Sequence, residues 1–144
     1  MFETVLVGTD GSDRANRAVD RAVRLVQGTD DHLHIVTAYR PPSLHRIEKV
    51  RAAAPEEVQW RLSVDSEAQA ALHQAVGTAR ACGVVCDTSA EQGDPATVIL
   101  ETAQRIGAQL IVVGSKGVER RILGSVPHSV SQQAECDVLI VHTN

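Results

Sequence analysis

Residues 110–136 read LIVVGSKGVERRILGSVPHSVSQQAEC and are the most informative part of the chain. It begins with a continuously apolar, β-branched run that stops at Gly114, and Gly117 and Gly124-Ser125 follow. We interpret it as a buried strand, a glycine-punctuated loop and the start of a helix. Such a junction gathers backbone N–H groups and a positive dipole end at one point. The stretch therefore predicts an anion site, and phosphate is the anion that we expect.

The rest of the chain alternates strand and helix patterns around this stretch. We expect strands at Thr4–Thr9, Leu33–Tyr39, Val84–Ala90, Gln109–Val113 and Asp137–His142. Apolar residues recur every three or four positions between them, which is typical of helices with one buried face. The helices are expected after Ser12 or Asp13, across Ala68–Ala79, from Asp94-Pro95, and from about Val126 to Ala134. The segment Ser43–Arg61 is less regular and is interpreted as a crossover or lid.

The central strands are continuously apolar, as expected of parallel strands that are covered on both faces. The pattern predicts an α/β fold, an open parallel sheet with helices on both sides, in one domain over residues 1–144. Ligands of such sheets bind beyond the carboxyl ends of the strands. Asp10 and Gly114 stand at two of those ends and carry the most unusual chemistry.

Composition excludes several classes of function. Hydrophobic residues make up 43% and charged residues 22%, which indicates a globular domain rather than a disordered chain. Aromatic residues are only 2%, which argues against the stacking platforms of single-strand nucleic-acid binders. A net charge of -4 gives no attraction to nucleic acid or anionic lipid. No membrane-length apolar run or signal pattern is present, so we expect a cytoplasmic protein.

Other candidate chemistry is weak. Cys82, Cys86 and Cys136 lack the CxxC spacing and are interpreted as reduced thiols that fill apolar space. His32 and His34 lie on one face of a strand, but spacing supplies no partner for a metal site. No P-loop, nucleophile elbow or catalytic carboxylate pair is found. We therefore expect neither a metal site nor an enzyme.

Three motifs together resemble the universal stress protein family. They are VLVGTDGS near the start, GDPA in the middle, and VVGSKG with LGSVPHSV and CDVLIVH at the end. They stand in the family's order and cover nearly the whole chain. The resemblance implies a Rossmann-like sheet of five parallel strands in the order 3-2-1-4-5. It also implies a homodimer through the last strand, whose residues here are Val138, Leu139, Ile140 and Val141.

One branch of that family binds ATP and carries the pattern G-x2-G-x9-G-[S/T]. This chain keeps the first spacing, from Gly114 to Gly117, but only six residues separate Gly117 from Gly124. The loop is thus three residues shorter than the pattern. Lys116, Arg120 and Arg121 could offset the loss with positive charge, although exposed solvated side chains are the more usual case.

The expected nucleotide-binding residues come from four segments. Asp10 would contact ribose hydroxyls or a phosphate-bound metal, or it simply belongs to a turn before a helix. In the family's pattern, backbone groups at the end of strand 2 hold adenine, which falls on Ala38. Ser125 and Val126 would present first-turn N–H groups, whereas Pro127 has none. The full set is Thr9, Asp10, Ala38, Gly114, Gly117, Gly124, Ser125 and Val126.

Three hypotheses remain at this point. The first is a stress-response sensor or regulator that binds ATP or another adenine nucleotide, with or without Mg²⁺. The second is a dimeric interaction module that binds no nucleotide, with the short loop as its signature. The third, slow ATP hydrolysis, is a side activity at most, because no general base is evident.

Overall fold

The computed structural model describes residues 2–39, 56–115 and 125–142, with residues 56–65 and 125 described by their backbone alone. Strands and helices alternate along these residues. They are β1 (Thr4–Gly8), α1 (Asp13–Val26), β2 (His32–Tyr39), α2 (Glu56–Ala81), β3 (Cys86–Gln92), α3 (Pro95–Ile106), β4 (Leu110–Ser115), α4 (Ser125–Gln133) and β5 (Asp137–His142).

The strands form one sheet in the order β3-β2-β1-β4-β5. Every neighbouring pair is parallel, and the central pairing aligns Val5 with Leu110 and Leu6 with Ile111. The α/β class, the parallel sheet and the strand order are therefore confirmed. In this order the crossovers diverge on either side of β1 and β4, so a crevice opens above the carboxyl ends of these two strands.

Alternate side chains of the central strands enter two separate hydrophobic layers. Val5, Val7 and Val112 pack with α1 and α2 on one face of the sheet. Leu6, Ile111 and Val113 pack with α3 and α4 on the other face. Because both faces are covered, the sheet has no polar face at its centre, which explains the continuously apolar strand sequences.

Short polar side chains fix where two helices begin. Ser12 caps α1, and its Oγ accepts a hydrogen bond from the Ala15 N–H at 3.2 Å. Asp94 caps α3, with its Oδ2 accepting from the Thr97 N–H at 3.3 Å, and Pro95 occupies the first helical position. Each cap satisfies an N–H that has no partner within its helix. Both helices therefore begin at the carboxyl edge of the sheet, as the sequence predicts.

The boundaries of β3 differ from the prediction. The strand spans Cys86–Gln92 rather than starting at Val84. Val84 lies instead in the turn that ends α2, since its N–H donates to the Ala79 carbonyl at 2.9 Å while Gly83 adopts a φ of 71°. This is the reverse-turn ending that glycine favours after a helix. Val85 is left 92% exposed as a consequence.

Helix α2 is longer than the apolar periodicity indicates. It begins at Glu56, so residues 56–61 of the segment interpreted as a crossover or lid are helical. Residues 40–55, the remainder of that segment together with the residues before it, lie outside the described part of the chain. None of the helices in the described ranges is long and apolar enough to cross a membrane.

Candidate functional site

A cavity of about 210 Å³ lies above the carboxyl ends of β2, β1 and β4. We call it the carboxyl-end cavity. Its described wall consists of Gly8, Thr9, Asp10, Arg14, Ala15, Val36, Ala38, Pro95, Ile99, Val113, Gly114, Val126 and Pro127. Ligand pockets usually exceed about 300 Å³, so the described wall encloses room for part of a nucleotide-sized molecule.

Five of the eight residues expected to bind nucleotide meet in this cavity. They are Thr9, Asp10, Ala38, Gly114 and Val126, from β1, β2, β4 and α4. Ser125 is the first residue of α4, directly before Val126. Gly117 and Gly124 fall outside the described residues, as do Lys116, Arg120 and Arg121. Positions far apart in sequence are thus brought to one crevice by the parallel sheet.

The turn from β1 into α1 is held by local hydrogen bonds. Thr9 extends β1 by donating its N–H to the Val36 carbonyl at 2.9 Å, and its Oγ1 accepts from the Gly11 N–H at 3.1 Å. Gly11 has a φ of 82°, which side chains rarely tolerate. Asp10 Oδ1 accepts from the Ser12 N–H at 2.9 Å. The carboxylate is therefore fixed at the rim of the cavity by its own turn.

The Asp10 carboxyl is exposed, and its environment favours the charged form. Partial burial alone would raise its pKa, but hydrogen bonds from Ser12 and the positive charge of Arg14 outweigh burial and lower it below 3.8. At neutral pH the group is an anion that can accept hydrogen bonds from hydroxyls or contact a cation. A carboxyl whose pKa lies below its ordinary value is a weak general base.

Gly114 is required by the packing of α1 rather than by a turn. A Cβ at this position would lie 2.6 Å from the Arg14 carbonyl oxygen and 3.0 Å from Arg14 Cγ. Its φ is outside the left-handed region, and β4 continues through it to Ser115. The expectation that the strand ends at Val113 is therefore wrong, and Gly114 lies within β4 rather than in the loop after it. The glycine instead lets the first turn of α1 lie directly against β4.

The N-terminus of α4 closes the cavity on the side of β4. Val126 is half-buried and Pro127 is buried there. Ser115, which follows Gly114 and is 1% exposed, has its hydroxyl 3.1 Å from His142 Nδ1, so the ends of β4 and β5 are joined next to the site. First-turn N–H groups of a helix attract anions, which makes this the electropositive end of the crevice.

Arg14 is a wall residue that the sequence reasoning missed. It is half-buried in the first turn of α1, between the turn that holds Asp10 and the strand that carries Gly114. The helical periodicity places it outside the buried stripe, together with three other arginines. The signal available in the sequence was its position four residues after Asp10, since residues in the first turn of α1 face the carboxyl ends of the strands.

The described residues contain no cluster of three or more groups that could hold a metal ion. His34 Nε2 is 2.9 Å from the Ser89 hydroxyl, and His32 is exposed. The three cysteines are free thiols. Burial raises the pKa of the Cys86 and Cys136 thiols, and the adjacent carboxylates of Asp87 and Asp137 raise it further. These two thiols are thus protonated and unreactive at neutral pH.

The sequence is similar to those of known proteins over almost its whole length. The sequence model of the Universal stress protein family matches residues 1–142. The chain belongs to the universal stress protein family. Universal stress protein Rv1636 of Mycobacterium tuberculosis H37Rv is 38% identical over 147 residues, covering 99% of this chain and 97% of the relative. Universal stress protein YxiE of Bacillus subtilis is also 38% identical, covering 98% and 99%.

Solved structures of the universal stress protein family share the fold. One universal stress protein, crystallised in complex with cAMP, is 34% identical, with a TM-score of 0.73 over 99% of both chains. The crystal structure of Rv1636 is 36% identical, with a TM-score of 0.56 over 99% of this chain and 97% of that one. The family resemblance drawn from the three motifs is therefore confirmed.

Proposed function

We propose that this universal stress protein binds an adenine nucleotide in the carboxyl-end cavity and acts as a sensor or regulator in the stress response. The observation that carries the proposal is the convergence of Thr9, Asp10, Ala38, Gly114 and Val126 on one crevice. The relative at 34% identity that was crystallised with cAMP supports the same class of ligand.

The order of the strands assigns a part of the nucleotide to each wall. Ala38 is the penultimate residue of β2 and is proposed to hold the adenine edge through its backbone. Asp10, at the end of β1, would accept hydrogen bonds from the ribose hydroxyls, because its carboxylate is ionised and exposed. The first turn of α4, with Ser125 and Val126, would receive phosphate oxygens.

ATP, with or without Mg²⁺, is the nucleotide that the family's glycine pattern suggests. The shortened loop leaves fewer backbone groups to surround a triphosphate, so AMP and cyclic AMP belong in the same test. Binding rather than catalysis is proposed, since the described wall of the cavity carries one carboxylate, Asp10, and its lowered pKa makes it a weak base.

The test is a thermal unfolding series with ATP, AMP and cyclic AMP, each with and without Mg²⁺. A ligand present at about 100 times its Kd should stabilise the protein by about 2.7 kcal/mol. Mass spectrometry of the natively purified protein would identify any nucleotide that it carries. Melting curves that do not move with any of these ligands at millimolar concentration would overturn the proposal.

A dimer through β5 is the second part of the proposal. Val138, Leu139 and Ile140 are half-buried on this edge strand, which has β4 as its one neighbour in the described sheet. An apolar edge is usually covered by another chain. Val138 and Ile140 also pack against the core beneath α3 and α4, so placing a charge there would unfold the chain as well as separate subunits.

Hydrogen exchange offers a test that needs no substitution. Amides of β5 should become more protected as protein concentration rises, whereas amides of the opposite edge strand, β3, should not change. Sedimentation over the same concentrations should report a monomer–dimer equilibrium. If the dimer is stable throughout, the β5 amides should instead be protected at every concentration. A monomer at every concentration, with β5 amides as open as those of β3, would contradict the proposed interface.

A further inference from the structure

Arg14 carries the one cationic side chain in the described wall of the carboxyl-end cavity. It makes no ion pair within 4.0 Å with a carboxylate among the described residues, so its charge is not consumed by a close partner there. A half-buried arginine that lines a cavity is well placed for an anionic ligand. Its five N–H donors match the geometry of phosphate oxygens.

The position of Arg14 is set by the backbone and not by a flexible loop. Its carbonyl oxygen and Cγ lie against the bare face of Gly114, where a Cβ would come within 2.6 Å and 3.0 Å of them. The stem of the side chain is therefore fixed over β4. Arg14 therefore lies at the carboxyl end of β4. The N-terminus of α4, where phosphate is proposed to bind, lines the cavity at the same place.

Charge balance gives a second reason for a cation at this place. The ionised carboxylate of Asp10 lies on the neighbouring strand end and would repel a phosphate. Arg14 is close enough to lower the Asp10 pKa, so its field reaches the same region. A pocket that accepts both ribose hydroxyls and phosphate needs the negative charge at one end offset by a positive charge at the other.

The spacing of the strands indicates which phosphate Arg14 would meet. Adjacent strands lie roughly 4.8 Å apart, so β2, β1 and β4 together span about 10 Å. With adenine at β2 and ribose at β1, the next group along the nucleotide at β4 is the phosphate attached to the ribose. Outer phosphates of ATP would lie beyond Arg14.

We propose that Arg14 binds the phosphate group attached to the ribose and makes this site selective for nucleotides that carry charge there. The ligand class is adenosine monophosphates, linear or cyclic, with ATP bound through the same first phosphate. This inference rests on the proposed nucleotide function, and it adds a residue and a phosphate preference that the family motifs do not assign.

The experiment compares adenosine, AMP, cyclic AMP and ATP by calorimetry, with weak ligands measured by competition. The variant Arg14→Met removes the charge but keeps an unbranched stem against Gly114. AMP and cyclic AMP should bind about tenfold to a hundredfold more weakly to this variant, because a charge-assisted contact is lost. Adenosine, which has no phosphate, should change by less than about twofold.

Two further variants separate charge from structure. Arg14→Lys should recover part of the AMP affinity, since it restores the charge without the bidentate geometry. Arg17→Met is the matched control: Arg17 lies three residues along the same helix, is exposed and does not line the cavity, so all four ligands should bind as before. Thermal unfolding of each variant reports whether the fold is retained.

The outcomes distinguish the two levels of the proposal. Wild-type protein that binds none of the four ligands would overturn the nucleotide function itself. Wild-type binding with unchanged AMP affinity in Arg14→Met would overturn the role of Arg14 alone. An equal loss for adenosine and AMP would also overturn it, because Arg14 would then act by shaping the cavity rather than by contacting phosphate.

Discussion

Two cavities lie at opposite ends of the sheet and differ in the charges that surround them. The carboxyl-end cavity, of about 210 Å³, is bounded by Arg14 and by the N-terminal turn of α4. The second, which we call the amino-end groove, has about 380 Å³ and is lined by Leu100, Glu101, Ala103, Gln104, Gly107, Ala108, Ile111, Gln133, Ala134, Glu135 and Cys136. Its wall includes the C-terminal ends of α3 and α4, which carry partial negative charge.

Cavity volume is a poor guide to function in this fold. The amino-end groove is larger, yet its helix ends and its two glutamates would repel an anion. The carboxyl-end cavity is smaller but offers a cation, a helix N-terminus and a carboxylate at fixed positions. Parallel strands make this polarity unavoidable, because every crossover helix begins near a strand's carboxyl end and finishes at the other end.

The largest expected effect comes from breaking the carboxyl-end cavity at Gly114. Gly114→Ala places a Cβ 2.6 Å from a backbone oxygen, which cannot move without shifting α1. We expect a loss of about 1–3 kcal/mol in unfolding free energy and a loss of nucleotide affinity. Urea denaturation and calorimetry measure the two effects.

Gly77→Ala is the control for that substitution. Gly77 lies in the interior of α2, where no atom of a neighbouring described element lies within 4 Å of an added Cβ. The same change should there raise stability by about 0.5–1 kcal/mol, because alanine favours a helix. Equal changes in unfolding free energy at the two glycines would show that α1 does not pack tightly against β4 at Gly114.

The next prediction compares the removal of one carboxylate from each of the two cavities. Asp10→Ala removes the proposed ribose partner and should weaken AMP binding about tenfold. Glu101→Ala, in the amino-end groove, removes a carboxylate from the other end of the sheet and should leave AMP affinity within about twofold. Calorimetry on both variants measures the difference, and a larger effect at Glu101 would reverse the functional assignment of the cavities.

A third prediction concerns α3, whose residues line both cavities. Thr102 is fully buried in this helix, and its hydroxyl has no hydrogen-bond partner among the described residues. Thr102→Val keeps the shape and removes the unsatisfied polar atom, so stability should rise by about 1 kcal/mol without a change in AMP affinity. A lower melting temperature would reveal a partner for the hydroxyl.

The smallest expected effect is the pH dependence contributed by Asp10. Its pKa is lower in the folded chain than its ordinary value of 3.8, so the ionised form stabilises the fold. That contribution is complete above pH 3.8 and is lost as pH falls through the folded-state pKa. Asp10→Asn keeps an oxygen for the Ser12 N–H but has no charge, so it should be slightly less stable at pH 7.

The measurement is the unfolding free energy of both proteins from pH 7 down to the acid transition. The stability gap between wild type and Asp10→Asn should narrow as pH falls below 3.8. Asp13→Asn is a suitable reference, since it removes an exposed carboxylate from the first turn of α1, three residues after Asp10 and outside the wall of the cavity. A gap that stays constant with pH would show that the charge of Asp10 does not stabilise the fold.

The sequence predicted those parts of the structure that local patterns determine. The apolar run before Gly114 indicated a central strand, Asp94-Pro95 indicated a helix start, and the motif around Asp10 placed a carboxylate at the crevice. The prediction for Gly114 was wrong because the glycine is required by a contact with α1. The two contacting residues are separated by about a hundred residues of chain. Arg14 was missed for the same reason: periodicity shows which face of a helix is buried, not which neighbour that face meets.

The contact between Arg14 and Gly114 restricts which residues near the cavity can be substituted. The same contact packs α1 on the sheet and fixes the stem of Arg14, so a substitution at Gly114 should change both the folding stability and the proposed ligand preference. Substitutions intended to change the proposed ligand preference should therefore keep Gly114 and replace only the guanidinium group of Arg14. Chains of this fold that replace the glycine need a different approach of α1, and hence a different wall for the ligand.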